Sequence, residues 1–280
     1  MIKELLTPVS SRIAVGIWNF VMELVGGLLT ETPEKFNSSS SGVSETWKFI
    51  RNTVYPWMQS IGLLMLNLFL IIALCQAVMT LHTNITLELC LEALVKVVIV
   101  NAIFLNLMRI MKTFFTISSL ICTGLQDKAG INMQLDASDF SGSVSITSLL
   151  FGIVFVLVSL VCSFMILLAV YGRFLRLYLL VAIAPLAIAP LAGGQRAEQT
   201  FHAFVRTFLL YVFEIVAVQL VLIISSKMMQ EGFHLFNNDT VNTLFETVAG
   251  AGTINAMFIM ILTAAMVKGA NSFLSKAFGL

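Results

Sequence analysis

Charge is what this chain has least of. Asp, Glu, Lys and Arg together make up 11% of its 280 residues, against about 25% in ordinary soluble proteins. Apolar residues make up 58%. A water-soluble fold of this size still exposes much of its surface, so so large an apolar excess has nowhere to go in water. Soluble enzyme folds are thereby excluded. The 16 Lys and Arg against 15 Asp and Glu leave a net charge of +1, which is no basic footprint for nucleic acid. Alternating runs of about ten residues, the mark of a membrane barrel, are lacking as well.

Reactive side chains are equally scarce. The three histidines, His82, His202 and His234, have no HExxH spacing. The four cysteines, Cys75, Cys90, Cys122 and Cys162, form no CxxC pair and lie in or beside apolar stretches. They read as small core hydrophobes and not as a disulfide framework. There is no GxxxxGK[ST] phosphate loop and no nucleophile–base pattern. The chain is expected to be no enzyme and to hold neither cofactor nor metal. Lys3 and Arg12 precede an apolar stretch, but Gly26, Gly27 and Leu28 make a poor signal-peptide cleavage site.

What is abundant is apolar sequence in long runs, with a mean hydropathy of +0.95. Runs near ~20 residues cross a bilayer as helix. The expected fold class is therefore all-α: a polytopic helical membrane protein with about five transmembrane helices. Those are Met58–Met79, Leu87–Leu107, Ile146–Val170, Phe201–Ser226 and Val248–Val267. Residues 1–57 are expected to form an N-terminal extracytoplasmic region, and residues 58–280 the transmembrane helical domain. In the first region, Ile17, Phe20, Val21, Leu24 and Leu28 share one helical face, and Arg12, Gly16, Asn19, Glu23 and Gly27 another. That two-faced period suits a helix lying in the headgroup plane, with a true span as the alternative. Thr30 to Thr53, with four consecutive serines from Ser38, reads as a loop ending in a short helix through Trp47 and Ile50. Tyr55, Pro56 and Trp57 mark a membrane–water boundary. From Met108 the pattern is again amphipathic and interfacial. The stretch after Lys268 is a short amphipathic tail.

One apolar stretch is too short. Leu179 to Leu191 holds about a dozen apolar residues with Pro185 and Pro190, short of the ~20 needed. It is expected to be broken or re-entrant, with the two prolines making the break. If it does not cross, residues 171–206 carry Arg173, Arg176, Arg196 and Arg206 on one side, joined by Lys268 and Lys276 of the tail. Loops 126–143 and 227–246 are acidic. Basic residues favour the cytoplasm, which places 171–206 and the C-terminus inside. Both acidic loops, loop 30–54 and the N-terminus are expected outside.

Several residues stand out. Arg173 and Arg176 follow a span directly and read either as topology anchors or as a docking site for a partner or substrate. Arg206, Glu214 and Gln219 suggest a polar stripe within the fourth span. An ionisable group such as Glu214 faces the bundle interior or water, either as a gate residue or in a structural pair. Glu92 and Lys96, four apart, can pair. Gly252, Ala256 and Ala264 form a small-residue packing stripe on the last span.

Two stretches bring a family into view. Leu-Leu-Thr-Glu-Thr-Pro-Glu-Lys-Phe-Asn (28–37) leads through the serine-rich loop to the first span. Tyr-Gly-Arg-Phe-Leu-Arg-Leu-Tyr-Leu-Leu-Val-Ala-Ile-Ala-Pro-Leu-Ala-Ile-Ala (171–189) leads into a glycine turn and a long helix. The order of these elements over most of the chain resembles the TrbL-like family, the polytopic membrane subunit of type IV secretion and conjugation machines, in its Gram-positive versions. The resemblance implies an integral scaffold or channel component in the cytoplasmic membrane. It implies a homo-oligomeric ring, with a pentamer as the expected form, beside other secretion subunits including cytoplasmic ATPases. DNA with its bound protein would be a partner only in transit, and membrane lipid the constant one. The competing reading is a secondary transporter using Glu214 as its intramembrane acid. Transporters tend to carry two broken segments in matching repeats, and only one is evident here.

Overall fold

A chain this apolar must satisfy its backbone within each segment, and helices do so. The computed structural model describes residues 2–36, 43–80, 87–129, 134–135, 146–230, 252–277 and 279. Among the described residues every regular element is helical. The order is α1 (Ile2–Thr30), α2 (Glu45–Phe49), a π turn (Ile50–Val54), α3 (Tyr55–Thr80), α4 (Leu87–Ala129), α5 (Ile146–Ile188), a 3-10 turn (Ala189–Ala192), α6 (Gly194–Gln230) and α7 (Thr253–Ala277). Among the described residues six stretches are long and apolar enough to cross a membrane: 10–30, 45–73, 95–129, 150–192, 197–229 and 253–277. Each of the five expected spans overlaps one of these, residues 248–251 lying outside the described ones, and residues 10–30 add a sixth candidate.

The chain divides into two compact units, and neither ends at residue 57. The first holds residues 1–30, 119–172 and 214–276; the second holds 31–118, 173–213 and 277–280. The polar segment after α1 belongs to the second unit. The acidic loops lie largely outside the described residues.

In the first unit α1 is packed along one face. Ala14, Trp18, Val25 and Leu29 are fully buried. Ser159 Oγ donates to the Ala14 carbonyl at 2.7 Å, and Gly152 abuts the Ser10 side chain. These two contacts advance together along both helices, so α1 runs parallel to the N-terminal half of α5. That half lies in the most apolar span of the chain, with a mean hydropathy of 3.1. Residues 10–30 are thus long and apolar enough to cross beside α5, which suits the alternative of a true span. The buried face falls between the two faces that the sequence pattern picked out. Ser119 Oγ closes the end of α1 by donating to the Thr30 carbonyl at 2.7 Å.

In the second unit residues 31–36 and 43–54 form a strap held against α4 and α5. Its turn is closed by Lys35 and Phe36 N–H groups donating to the Thr32 carbonyl, and by Ser44 N–H donating to the Glu34 carbonyl. Phe36 stacks on Phe174 with ring centroids 4.0 Å apart. Trp47 is fully buried against Phe115 and Tyr178. Tyr178 Oη donates to the buried Pro33 carbonyl at 2.8 Å. Groups in contact cannot lie on opposite sides of a hydrocarbon layer ~30 Å thick. Pro33, Phe36 and Trp47 therefore lie at one depth with the stretch from Arg173 to Tyr178.

The prolyl segment is not a separate re-entrant piece. α5 runs unbroken through Pro185 for 43 residues, about twice the length one crossing needs. The helical path changes only at Ala189–Ala192, where Pro190 sits in the first turn of a 3-10 helix. A proline at a helix start loses no bond, whereas Pro185 leaves the Val181 carbonyl without its helical donor. α3 packs closely here. A side chain on Gly62 would come within 2.7 Å of the Pro185 carbonyl oxygen. One on Gly193 would come within 2.8 Å of the Phe69 ring.

Candidate functional site

The most elaborate cluster of polar side chains in the second unit gathers where the strap meets α4, α5 and α6. Lys112 of α4 sits at its centre. Its Nζ bonds Glu34 of the strap at 3.0 Å and lies over the Trp47 ring at 5.7 Å. An ammonium between a carboxylate and an aromatic face is held by both charge and ring quadrupole. Phe115 and Phe208 extend the aromatic packing from α4 to α6. The Ser44 hydroxyl, itself buried, joins the Tyr178 hydroxyl from the strap side. Glu31, just after α1, is partly buried, and desolvation raises its carboxyl above the usual range while Lys35 pulls it down.

Arg173 belongs to this unit's interior. It is only 2% exposed. Its Nε donates to the Tyr211 carbonyl and its Nη2 to the Val212 carbonyl, both at 3.2 Å. A guanidinium bonded to two helix carbonyls is a staple between α5 and α6. Arg176, one turn on, is half-buried with its guanidinium over the Tyr211 ring at 5.3 Å. Both arginines thus tie α5 to the same turn of α6. Further along, Lys96 pairs with Glu198, where the sequence suggested Glu92; the Glu92 side chain lies outside the described ones.

The suggested stripe of Arg206, Glu214 and Gln219 does not form one face. Arg206 is exposed in the second unit, beside Gly279. Glu214 and Gln219 are buried in the first, at 6% and 0% exposure. Eight residues turn a helix by about 80° and five more by about 140°, so the three side chains point in three directions. Gln219 Nε2 donates to the Cys122 carbonyl at 2.7 Å. The first unit's interior is polar as well as apolar, with Ser159, Ser163, Ser226 and Thr263 almost wholly buried.

The small-residue stripe is also divided. Ala256 and Ala264 are buried within the first unit, beside Met260 and Val267. They serve packing inside the chain. Gly252 is not on the helix. It precedes α7 with φ 73°, a left-handed geometry that suits glycine, and its carbonyl accepts the Ala256 N–H.

Sequence reasoning missed the contacts of Lys112, Trp47 and Gly62. They depend on Glu34, Tyr178 and Pro185, far off in the chain, for which a local pattern holds no signal. Among the described residues no group of His, Cys, Asp and Glu is placed to hold a metal ion. No family model, curated protein or solved structure matches the chain.

Proposed function

We propose that this chain is an integral scaffold or channel component of a type IV secretion machine, assisting conjugative DNA transfer across the cytoplasmic membrane. The observation that carries the reading is the meeting of two stretches. Residues 28–37 and 171–189 are those by which the chain resembles TrbL-like proteins. They are far apart in sequence, yet Phe36 stacks on Phe174 and Tyr178 bonds Pro33. A shared pair of segments that packs together is what a common architecture requires. Charge supports the same orientation. Residues 171–206 carry Arg173, Arg176, Arg196 and Arg206. The positive-inside rule then turns the strap and the arginine staple toward the cytoplasm, where energising ATPases and outgoing substrate would be met. A homo-oligomeric ring of five copies is the assembly this reading implies.

The test is complementation of transfer. Deleting the gene from its conjugative element should abolish DNA transfer from donor cells. The wild-type chain should restore it. A Phe36→Ala, Tyr178→Phe double variant, which loosens the strap, should restore it poorly at equal membrane level. Undiminished transfer after deletion would overturn the reading.

A further inference from the structure

α1 has three faces, and only two of them have an evident occupant. Ala14, Trp18, Val25 and Leu29 are buried in the first unit. Ile13 and Phe20 are exposed, at 49% and 65%, with Ile17, Leu24 and Leu28 half-buried alongside. An apolar, outward face on a span suits lipid. The third face carries Arg12, Gly16, Glu23 and Gly27, all exposed. Side chains added at Gly16, Gly26 and Gly27 would meet nothing within 4 Å. An ionisable residue in a span faces the protein interior or water, and Glu23 does not face this unit's interior.

A second observation points the same way. Asn19 lies near the middle of the 21-residue span on this third face. Its Nδ2 donates to the Leu135 carbonyl at 3.0 Å, and its Oδ1 accepts the Leu135 N–H at 2.9 Å. Gln134 and Leu135 are not helical, and Gln134 is exposed. Non-helical backbone at membrane depth is tolerated only where protein buries it or where it borders a water-filled cavity. The exposed Gln134 and the charged, glycine-rich flanks favour water.

We propose that the Arg12–Gly16–Glu23–Gly27 face of α1 borders a water-filled path through the membrane, closed at mid-depth by the Asn19–Leu135 clasp. The face carries one charge of each sign, Arg12 and Glu23. This inference needs only that α1 crosses; it does not rest on the transfer reading.

Single cysteines at Gly16, Glu23 and Gly27, on a background lacking the four native cysteines, test it. The open space at Gly16 and Gly27 means those substitutions fit. The probe is a charged, membrane-impermeant thiol reagent, applied separately to each face of the membrane in sealed vesicles of both orientations. Position 16 should react from one face only, and positions 23 and 27 from the other only. Cysteines at Phe20, Leu24 and Leu28 should stay unreactive. Three outcomes overturn the proposal: no reaction at 16, 23 and 27, which means protein or lipid covers the face; reaction of all three from one face, which means α1 lies along the surface; or equal reaction at 20, 24 and 28. Labelling is read without any transfer assay, so loss of the secretion reading would leave this result standing.

Discussion

Single residues in this molecule hold positions that their chemical type does not announce. Tyr178 looks like a boundary aromatic, yet its hydroxyl satisfies the buried Pro33 carbonyl. Tyr178→Phe keeps the ring packing and leaves that carbonyl bare, which should cost about 1–2 kcal/mol. A lower melting temperature in detergent checks this; an unchanged one would mean the carbonyl finds another donor. Glu31 carries a pH effect of definite sign. Partial burial raises its folded pKa above the unfolded value, so the folded state binds this proton more tightly. The resulting stability is fully present below the unfolded pKa and is lost as pH rises through the folded one. Glu31→Gln should therefore raise the melting temperature at pH 7.5 and confer no advantage at pH 4. An advantage that persists at pH 4 would rule out desolvation of the carboxylate as the cause.

At the scale of elements, glycine contacts decide how close helices come. α3 reaches the Pro185 backbone because Gly62 has no side chain. Gly62→Ala forces a shift and should destabilise by about 1–3 kcal/mol. Gly269→Ala in α7 meets nothing within 4 Å and should be neutral or stabilising, by up to ~1 kcal/mol, since alanine favours helix. Thermal unfolding of the two variants side by side checks the contrast, and equal effects would remove the close-approach argument. The helices themselves were legible, because length and continuous apolarity are local properties. Even the short helix through Trp47 showed in the pattern. Contacts between elements were not. Arg173 at a helix end reads as a surface anchor, since the sequence does not reveal that Tyr211 and Val212 offer their carbonyls to it. The polar strap reads as a solvated loop, because Phe36 and Trp47 look too sparse to bury it. α1 reads as two-faced because a sequence marks polar and apolar sides, but not which apolar side meets protein.

At the scale of the whole molecule, the strap decides topology. Charge counting alone allowed loop 30–54 to lie outside. The contacts of Pro33 and Phe36 with Tyr178 and Phe174 place these strap residues at the depth of the arginine staple, and on the proposed orientation both face the cytoplasm. On that proposal α1 would carry the chain from an outer N-terminus to an inner strap in one crossing. Two single-cysteine variants, on a background lacking the native cysteines, separate this from the alternative. Lys3→Cys should react with an impermeant maleimide in intact cells. Thr46→Cys, exposed on the strap, should react only after the membrane is permeabilised. Labelling of Thr46→Cys in intact cells would return the strap to the outside. The packing of Trp47 against Tyr178 would then require residues 171–206 to be outside with it, against the four arginines that the segment carries. Such a result would break the positive-inside assignment for the chain as a whole, not for the strap alone, because the two segments cannot be moved apart.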